Sequence, residues 1–185
     1  MRALVTGTVA VVLCATASNG NEERWTPLGL GGGGAMYAPA SSPHDPKLMF
    51  VSCDMGGFYR STDGGASWRM IDFRQTRGST ACKPVFHPKD PKVIYFQGLV
   101  SQDQGLTWKP LGNNAPFKEV VEMALDPEEG RLMLAGAPDG VFLSRDAGEN
   151  WEKGPAVAGS VVGLYVCPVK EPGGLFCLFV ATSSG

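Results

Sequence analysis

Short apolar runs alternate with turn-forming segments along most of this chain. Four apolar runs each follow a segment rich in Pro, Asp or Gly: LMFV (48–51), VIYF (93–96), LMLA (132–135) and LFCLFVA (175–181). Another apolar segment precedes each of those turns: AMYAPA (35–40), ACKPVF (81–86), VEMAL (121–125) and VVGLYV (161–166). No long stretch has amphipathic helical spacing, so the pattern predicts many short β-strands.

An eight-residue polar pattern, S-x-D-x-G-x-x-W, follows three of these strand pairs. It reads STDGGASW at 61–68, SQDQGLTW at 101–108 and SRDAGENW at 144–151, and the copies start 40 and 43 residues apart. Each unit then reads as strand, turn, strand, connection, strand, octapeptide and strand. Four short strands in about 40–45 residues predict the blade of a β-propeller.

The fold class predicted here is therefore all-β, a β-propeller of four-stranded antiparallel blades. The units give three blades, about 25–72, 73–112 and 113–155, and an incomplete fourth at 156–185. Propellers close with about 4–8 blades, because an open ring exposes sheet edges. We therefore interpret 18–185 as the N-terminal part of a propeller with an incomplete ring.

Composition and charge describe an ordinary globular chain. The 185 residues carry a formal net charge of −2, and 43% are hydrophobic and 18% charged. The 25 glycines and 14 prolines suit a turn-rich β protein. A chain so close to neutrality has no electrostatic basis for binding nucleic acid, and we expect no nucleic-acid partner.

The first 17 residues differ from the rest. After Arg2, residues 3–17 are apolar and almost uncharged, and Ala15-Thr16-Ala17 has the small-x-small form of a cleavage site. We interpret 1–17 as a signal peptide, with a buried first strand as the alternative. The mature chain, with no transmembrane segment, is then expected to be secreted, periplasmic or extracellular.

Cysteine usage leaves disulfides open and argues against a metal site. Removal of the leader leaves Cys53, Cys82, Cys167 and Cys177, which allow three pairings in an oxidising compartment. Cys167 and Cys177 flank a predicted hairpin, where they can face each other across adjacent strands. No C-x-x-C pattern or Cys/His cluster is present, so we expect no metal and no cofactor.

The octapeptide has an interpretation for each of its fixed positions. The Asp accepts hydrogen bonds from turn amides, the Gly permits positive φ, and the Trp anchors the turn by burial. The residues concerned are Ser61, Asp63, Gly65, Trp68, Ser101, Asp103, Gly105, Trp108, Ser144, Asp146, Gly148 and Trp151. The alternative is that the three Asp are catalytic acids, but equivalent positions on separate blades would lie far apart, so they cannot act as a pair. These octapeptides resemble the Asp-box (BNR) repeat of sialidases, xyloglucan-cleaving enzymes and sortilin-like receptors.

Because the strands run up and down, the octapeptides lie at one edge of the blades. The connections from the second to the third strand, and from one blade to the next, lie at the opposite edge, where we expect a functional site. The second edge receives SCDMGG (52–57), DFRQTRGST (72–80), GNNAPFKE (112–119), GAPDG (136–140) and GPAVAGS (154–160). Glu119 and Glu122 begin an inner strand and read as lining of a wet channel, and Asp139 reads as an ordinary turn residue. Three basic residues at this edge, Arg74, Arg77 and Lys83, have two interpretations. They bind an anionic or hydroxyl-rich ligand, or they form a solvated rim.

The segment CDMGGFYR, together with WTPLG and GGGG (31–34), resembles the opening blade of the xyloglucanase and oligoxyloglucan reducing-end-specific cellobiohydrolase family. Members open with a glycine-rich segment and then D-x-G-G-x-Y-R, whose aspartate is one of two catalytic carboxylates. The resemblance implies that role for Asp54, and the alternative is a tight turn with Asp54 bonding the amides of Gly56 and Gly57. The family shows an aromatic after the arginine where Ser61 stands here, and its second aspartate comes from a second propeller.

Two function classes follow from these residues. The first is a secreted, glycoside-hydrolase-like propeller that acts on or binds a β-glucan such as xyloglucan. Its catalytic residue is Asp54, and its substrate-binding residues are Trp25, Tyr59, Arg60, Arg74 and Arg77. As only one carboxylate is assigned, we expect this stretch to be inactive alone. The second is a non-catalytic scaffold that binds a protein or a glycan. A sialidase fits less well, since no Phe-Arg-Ile-Pro motif is present.

Overall fold

The computed structural model describes residues 34–55, 57–112 and 115–184, and in these ranges the chain forms fourteen strands and no helix. The first sheet contains β1 (Met36–Ser41), β2 (Met49–Cys53), β3 (Gly57–Ser61) and β4 (Arg69–Met70). The second contains β5 (Val85–Phe86), β6 (Ile94–Phe96), β7 (Leu99–Ser101) and β8 (Lys109–Pro110). The third contains β9 (Glu122–Leu125), β10 (Met133–Ala137), β11 (Gly140–Ser144) and β12 (Glu152–Lys153), and the fourth pairs β13 (Val161–Lys170) with β14 (Phe176–Thr182).

Each sheet is antiparallel with its strands in sequence order, as the apolar pattern predicts. The predicted signal peptide (1–17), Trp25 and most of the GGGG run lie outside the described residues. Nothing in the described ranges forms a helix of the length and hydrophobicity that crossing a bilayer requires. The prediction of an all-β chain is confirmed. The described residues form three four-stranded sheets and one two-stranded sheet.

The strand registers define equivalent positions in the sheets. Met49 pairs with Ser61, Ile94 with Ser101 and Met133 with Ser144, so the octapeptide serines align. One step along, Phe50 pairs with Arg60, Tyr95 with Val100 and Leu134 with Leu143. Phe50, Tyr95 and Leu134 are therefore equivalent residues that face the next sheet along the chain.

The seam between the first two sheets, called the first seam below, is packed with aromatic rings. Phe58 stacks on Phe96 with ring centroids 4.1 Å apart and on Phe50 at 5.4 Å. Trp108 meets Phe50 edge-on at 6.4 Å. The three phenylalanines are at most 1% exposed, so this seam is the centre of the hydrophobic core.

The seam between the second and third sheets, called the second seam, contains fewer rings. Phe117, from the connection before β9, meets Trp151 edge-on at 5.1 Å and Phe142 at 5.6 Å. The fourth sheet packs on the third through a separate small cluster of Leu134, Val141, Val161 and Val166. Its other face is apolar and exposed, with Phe179 56% accessible.

The three octapeptides form closely similar turns, called the repeat turns below. In the first, Ser61 Oγ donates to Asp63 Oδ1 at 2.7 Å and accepts the Gly65 amide at 2.9 Å. Trp68 Nε1 donates to the Gly65 carbonyl at 3.0 Å. The same serine, glycine and tryptophan bonds recur at 101–108 and 144–151.

Each repeat turn is also bonded to the turn between the first two strands of its own sheet. Gly64 N–H donates to the Lys47 carbonyl at 3.0 Å, Gln104 to Lys92 at 2.9 Å and Ala147 to Arg131 at 2.9 Å. The two kinds of turn therefore lie together at one edge of each sheet. The connections between the second and third strands lie at the opposite edge, where Asp54 is found.

Candidate functional site

Asp54 lies in the exposed turn between β2 and β3, bonded to the segment that precedes β1. The Ala35 amide donates to Asp54 Oδ1 at 3.0 Å, and the Asp54 amide donates to the Ala35 carbonyl at 3.3 Å. Within the described residues, no amide of Gly57 bonds the carboxylate, and Gly56 lies outside them. The carboxylate is thus held by Ala35, at the end of the glycine-rich run.

Gly34 shows why a glycine precedes this contact. A Cβ at Gly34 would lie 2.7 Å from both Asp54 Oδ1 and Cys53 Sγ, closer than side-chain atoms approach. Its φ of +138° is also a conformation that favours glycine. The last glycine of GGGG therefore allows the chain to pass directly over the Asp54 turn.

The β4–β5 connection also packs against this turn. A Cβ at Gly78 would lie 2.6 Å from the Gly57 carbonyl oxygen and 2.8 Å from that of Cys53. The Ser79 amide donates to Ser52 Oγ at 3.1 Å. The Asp54 turn is therefore contacted by two backbone segments, the one that precedes β1 and the β4–β5 connection.

A pocket of about 540 Å³ adjoins this connection at the same edge of the sheets. Its lining is of mixed polarity and comes from the β4–β5 connection, the β6–β7 turn and the connection before β9: Thr76, Arg77, Gly78, Gln97, Leu99, Lys118, Glu119 and Val120. Arg77, Lys118 and Glu119 are exposed and of both charge signs. We call this the Arg77 pocket.

The β6–β7 turn contributes a residue to the Arg77 pocket that the sequence analysis did not single out. Gln97 and Gly98 have φ of 52° and 75°, the geometry of a tight two-residue hairpin. The Gln97 amide donates to Cys82 Sγ at 3.4 Å, and Thr76 Oγ1 lies 3.5 Å from Gln97 Oε1. The Gln-Gly pair between VIYF and LV was the available signal.

The five residues proposed to bind substrate do not all lie at this pocket. Arg77 lines it, whereas Arg74 is exposed, pairs with Asp72 at 3.7 Å and lies over the Phe73 ring at 5.2 Å. Tyr59 is half-buried on β3 and pairs with Val51 and Met70. Trp25 lies outside the described residues.

Arg60 points away from the Asp54 turn, into the first seam. Its Nε donates to the Gln104 carbonyl, in the repeat turn of the second sheet, at 2.7 Å. Burial lowers the pKa of the Arg60 guanidinium, and nearby Asp103 opposes that change. A guanidinium nonetheless stays charged at physiological pH, so this bond is a charge-assisted link between sheets.

The carboxylates of the repeat turns are all engaged within their own turns. Asp63 Oδ2 accepts from Ser67 Oγ at 2.6 Å and Oδ1 from the Ser67 amide at 2.9 Å, and these bonds lower its pKa to about 2. The Asn150 amide and side chain do the same for Asp146, whose pKa is also about 2. At Asp103 burial opposes the change, but hydrogen bonds from Thr107, Ser101 and Leu106 together outweigh it and lower its pKa.

Cysteine and metal chemistry add little to this edge. Cys53, Cys82, Cys167 and Cys177 are unpaired thiols, and burial raises the pKa of Cys82 to about 12. Cys167 and Cys177 are the neighbours of the paired residues Val166 and Leu178 on β13 and β14, at the point where the register shifts. Cys177 Sγ donates to Glu171 Oε1 at 3.1 Å. Among the described residues no group of three His, Cys, Asp or Glu side chains is arranged to hold a metal ion.

Two further acidic residues of the sequence analysis lie near this edge but differ in setting. Burial raises the pKa of Glu122, which is half-buried at the start of β9, and Lys83 opposes that rise. Asp139 is exposed in the β10–β11 turn, equivalent to the turn of Asp54 in the first sheet.

Comparison of sequences finds relatives among xyloglucanases. The chain is 26% identical over 162 residues to Xyloglucanase Xgh74A of Acetivibrio thermocellus, covering 70% of this chain and 19% of that protein. It is 23% identical over 193 residues to the oligoxyloglucan-reducing end-specific xyloglucanase of Emericella nidulans, covering 89% of this chain and 24% of that protein. No model of a known protein family matches the chain. The chain spans about a fifth of the length of these relatives.

Comparison of structures finds the same fold in GH74 enzymes. The GH74 xyloglucanase of Xanthomonas campestris superposes with a TM-score of 0.60 at 23% identity, over 86% of this chain and 29% of that one. An ancestral GH74 enzyme gives a TM-score of 0.57 at 22% identity, over 72% of this chain and 20% of that one. At these identities the likeness concerns the fold. The chain is thus an all-β partial propeller, similar in sequence to a stretch of the xyloglucanases.

Proposed function

We propose that the chain is a secreted, glycoside-hydrolase-like propeller whose Asp54 edge binds a β-glucan such as xyloglucan. The observation that carries the proposal is the placement of an exposed carboxylate turn, bonded to the Ala35 amide and packed against Gly78, beside the Arg77 pocket. A site on a rigid turn at the end of a sheet is the usual way that a propeller positions functional groups.

The chemistry of the Arg77 pocket suits a neutral, hydroxyl-rich ligand. Arg77 and Lys118 supply hydrogen-bond donors, Glu119 supplies acceptors, and Gln97 supplies both. These three charged side chains sum to one net positive charge, and sugar hydroxyl groups can accept from the two cations and donate to the carboxylate. Leu99 and Val120 provide the apolar surface against which the C–H face of a sugar ring packs.

In this proposal Asp54 is the general acid or base of an inverting hydrolysis. Inversion requires two carboxylates about 6.5–9.5 Å apart, with room for a water molecule between the second carboxylate and the sugar. The residues described here assign only one of them. The stretch is therefore proposed to bind the glucan, and to contribute to cleavage only with a second carboxylate from outside it.

The sequence relatives give this proposal its substrate. Both relatives described above are named as xyloglucanases, and the alignments cover 70% and 89% of this chain. The repeat turns support an Asp-box assignment, because serine, aspartate, glycine and tryptophan are bonded alike in all three. Secretion is supported by the apolar segment at 3–17.

The substrate-binding residues are proposed as a smaller set than the sequence suggested. Arg77 contacts the glucan from the pocket, and Tyr59 and Trp25 remain proposed stacking residues. Arg60 is proposed to link the first two sheets, since its guanidinium is already bonded to the Gln104 carbonyl. Arg74 is proposed to lie at the rim, where its partner is Asp72.

The proposal is tested with Asp54→Asn, Arg77→Ala and the control Asp139→Asn. Xyloglucan oligosaccharides are titrated into each protein by calorimetry, and release of reducing ends from xyloglucan is followed in the longest form of the protein that expresses. We expect Arg77→Ala to weaken binding by about ten-fold, the value of a lost charged hydrogen bond. Asp54→Asn is expected to keep affinity within about three-fold and to remove cleavage, since the carboxylate acts in proton transfer.

Each other outcome has a defined meaning. Cleavage that survives Asp54→Asn makes Asp54 an ordinary turn residue. Binding that is unaffected by Arg77→Ala places the glucan elsewhere. If no oligosaccharide binds, the alternative of a non-catalytic scaffold for a protein partner replaces this proposal.

A further inference from the structure

The first and second seams are built on equivalent positions but are filled differently. In the first seam, Phe50, Arg60 and the turn residue Gln104 come together, and Arg60 Nε donates to the Gln104 carbonyl at 2.7 Å. The register makes Tyr95 and Val100 the equivalents of Phe50 and Arg60. Ala147 is the equivalent of Gln104, and the two residues have nearly the same φ, 60° and 62°.

A pocket of about 390 Å³ occupies this position in the second seam. Tyr95, Val100 and Ala147 all line it, so the pocket lies where Arg60 lies in the first seam. The valine side chain is too short to reach the opposite turn. The Ala147 carbonyl accepts no hydrogen bond in the described part of the chain, whereas the Gln104 carbonyl is bonded to a guanidinium. We call this the Tyr95 pocket.

Tyr95 gives an independent sign that the pocket is suited to a polar ligand. The residue is only 3% exposed, yet its hydroxyl makes no hydrogen bond within the described residues. Among the described residues, every side-chain oxygen or nitrogen that is fully buried has a hydrogen-bond partner. Since the Tyr95 hydroxyl has none, it is not fully buried and must reach solvent. It does so through the pocket that the residue lines. Burial, with Asp90 nearby, raises the pKa of Tyr95 to about 12, so the hydroxyl stays neutral.

The charged groups around the pocket favour a cation. The lining includes Asp90 and Glu149 against Lys109, which leaves one net negative charge, and Asp90 Oδ1 also accepts the Lys92 amide at 2.9 Å. Lys109 Nζ is already bonded to Gln102 Oε1 at 3.0 Å. The remaining titratable group of the lining, His87, accepts the Lys89 and Asp90 amides at Nδ1, at 3.2 Å and 3.0 Å.

We propose that the Tyr95 pocket binds the guanidinium group of an arginine side chain presented by a peptide partner. The guanidinium donates to the Ala147 carbonyl, as Arg60 donates to Gln104, and to the Tyr95 hydroxyl and the carboxylates of Asp90 and Glu149. Val100 and Leu111 pack along the aliphatic stem. The pocket lies at the repeat-turn edge, opposite Asp54, so this inference is independent of the proposed glucan site.

The probe for the first experiment is Nα-acetyl-L-arginine amide, with the citrulline analogue as its uncharged isostere. Each is titrated into the 185-residue chain at low salt, and binding is read from the backbone amide shifts of Gly112, Ala147 and Glu149 by NMR. We expect saturable shifts at these amides for the arginine compound, and at least about ten-fold weaker binding of the citrulline compound. Binding of the arginine compound should also weaken as salt is raised.

Two variants and one control connect the binding to the pocket. Tyr95→Phe removes the free hydroxyl and is expected to weaken binding about three- to ten-fold. Val100→Arg places a guanidinium in the Tyr95 pocket, as Arg60 does at the equivalent position of the first seam, and is expected to abolish binding. If Val100→Arg does not fold, as judged from its amide dispersion, Glu149→Gln replaces it, with an expected loss of about three-fold or more. Tyr165→Phe, an exposed residue of the fourth sheet, should change nothing.

Three results overturn the inference. They are the absence of saturable shifts at the three amides, equal affinity for the arginine and citrulline compounds, and arginine binding that is unaffected by Tyr95→Phe. Loss of xyloglucan binding with arginine binding intact would count against the proposed function alone.

Discussion

The first and second seams share a backbone plan but differ in what fills them. In the first, Phe50, Phe58, Phe96 and Trp108 bring their ring centroids to within 4.1–6.4 Å, and Arg60 bonds across to Gln104. In the second, Tyr95 and Val100 stand at the positions of Phe50 and Arg60, and a pocket of about 390 Å³ is left. The repeated turns set where sheets meet, whereas single residues set how tightly they meet.

The difference places rigidity and access in separate parts of the molecule. The aromatic seam lies beside the Asp54 turn, since Phe58 follows that turn directly on β3. A well-packed core on one side keeps a functional turn in a single conformation. The second seam instead contains a cavity between sheets, and this is where we propose that a ligand binds.

The largest expected effect comes from removing a ring of the first seam. Phe58→Ala deletes a side chain that is 0% exposed and stacked on two rings, and should cost about 4 kcal/mol of unfolding free energy. In the second seam, Val100→Ala removes two methyl groups beside an existing pocket and should cost about 1.5 kcal/mol. Urea denaturation of both variants measures the ratio. Equal losses would show that the seams do not differ in packing.

Glycines of the repeat turns provide a finer comparison. A Cβ at Gly105 would lie 2.6 Å from the rigid Phe50 ring, and one at Gly148 2.7 Å from a flexible Leu111 methyl. Both have positive φ, +83° and +89°. Gly105→Ala should cost about 3 kcal/mol and Gly148→Ala about 2 kcal/mol, since only the leucine can move aside.

Gly64→Ala is the control for backbone strain alone, because its φ is +75° but nothing lies within 4 Å of its Cβ position. We expect a loss of about 1 kcal/mol there. If Gly64→Ala is as damaging as Gly105→Ala in thermal melts, strain outweighs the contact with Phe50, and the proposed contrast fails.

The Arg60 link is expected to be the next smaller contribution. Arg60→Met keeps most of the stem but removes the charged bond to the Gln104 carbonyl, and should cost about 2 kcal/mol. Arg145→Met, which removes an exposed ion pair with Glu152 at 3.2 Å, should cost under about 0.5 kcal/mol. Chemical denaturation distinguishes the two, and a loss at Arg60 no larger than at Arg145 would remove it as a link between the sheets.

Acid should produce the smallest effect per residue, and it tests the turns rather than the seams. The pKa values of Asp63 and Asp146 are about 2 in the folded chain, against about 4 in an unfolded one. Their contribution is therefore complete above about pH 4 and is lost as the pH falls toward 2, because the unfolded chain binds more protons in that window. Melting temperatures between pH 6 and 2 follow this loss.

Asp63→Asn and Asp146→Asn are the matched variants for the acid experiment. Each should flatten the decline in melting temperature between about pH 4 and 2, since one titrating carboxylate is removed. Indole NMR signals tell the turns apart, as Trp151 closes the second seam and Trp68 lies in the turn of the first sheet. A decline that is unchanged in both variants would assign acid sensitivity to other carboxylates.

Much of the fold was predictable because its signals are local. The apolar runs at 48–51, 93–96 and 132–135 each contain the start of a second strand, and the turns before them are rich in Pro, Asp and Gly. The hydrogen bonds between residues of one octapeptide join positions at most four apart. Such contacts depend on sequence spacing alone, so an eight-residue pattern specifies them.

The candidate site was predictable only in part. The Asp54 turn follows from CDMGG, but the contact to Ala35 spans nineteen residues and arises from the meeting of β1 and β2. Gln97 and Lys118 reach the Arg77 pocket from separate connections, and neither carries a motif. Arg60 belongs to the D-x-G-G-x-Y-R motif, yet strand alternation turns it toward the second sheet and away from Asp54.

The sequence by itself therefore determined the repeating unit: four strands, the turn chemistry between them and the edge at which each turn lies. Only the tertiary structure decided which residues of different units meet, as Arg60 meets Gln104 and as Val100 leaves the Tyr95 pocket open. The physical reason is range. Hydrogen bonds within a turn and strand alternation are set by near neighbours, whereas packing between sheets depends on the size and charge of side chains about forty residues apart.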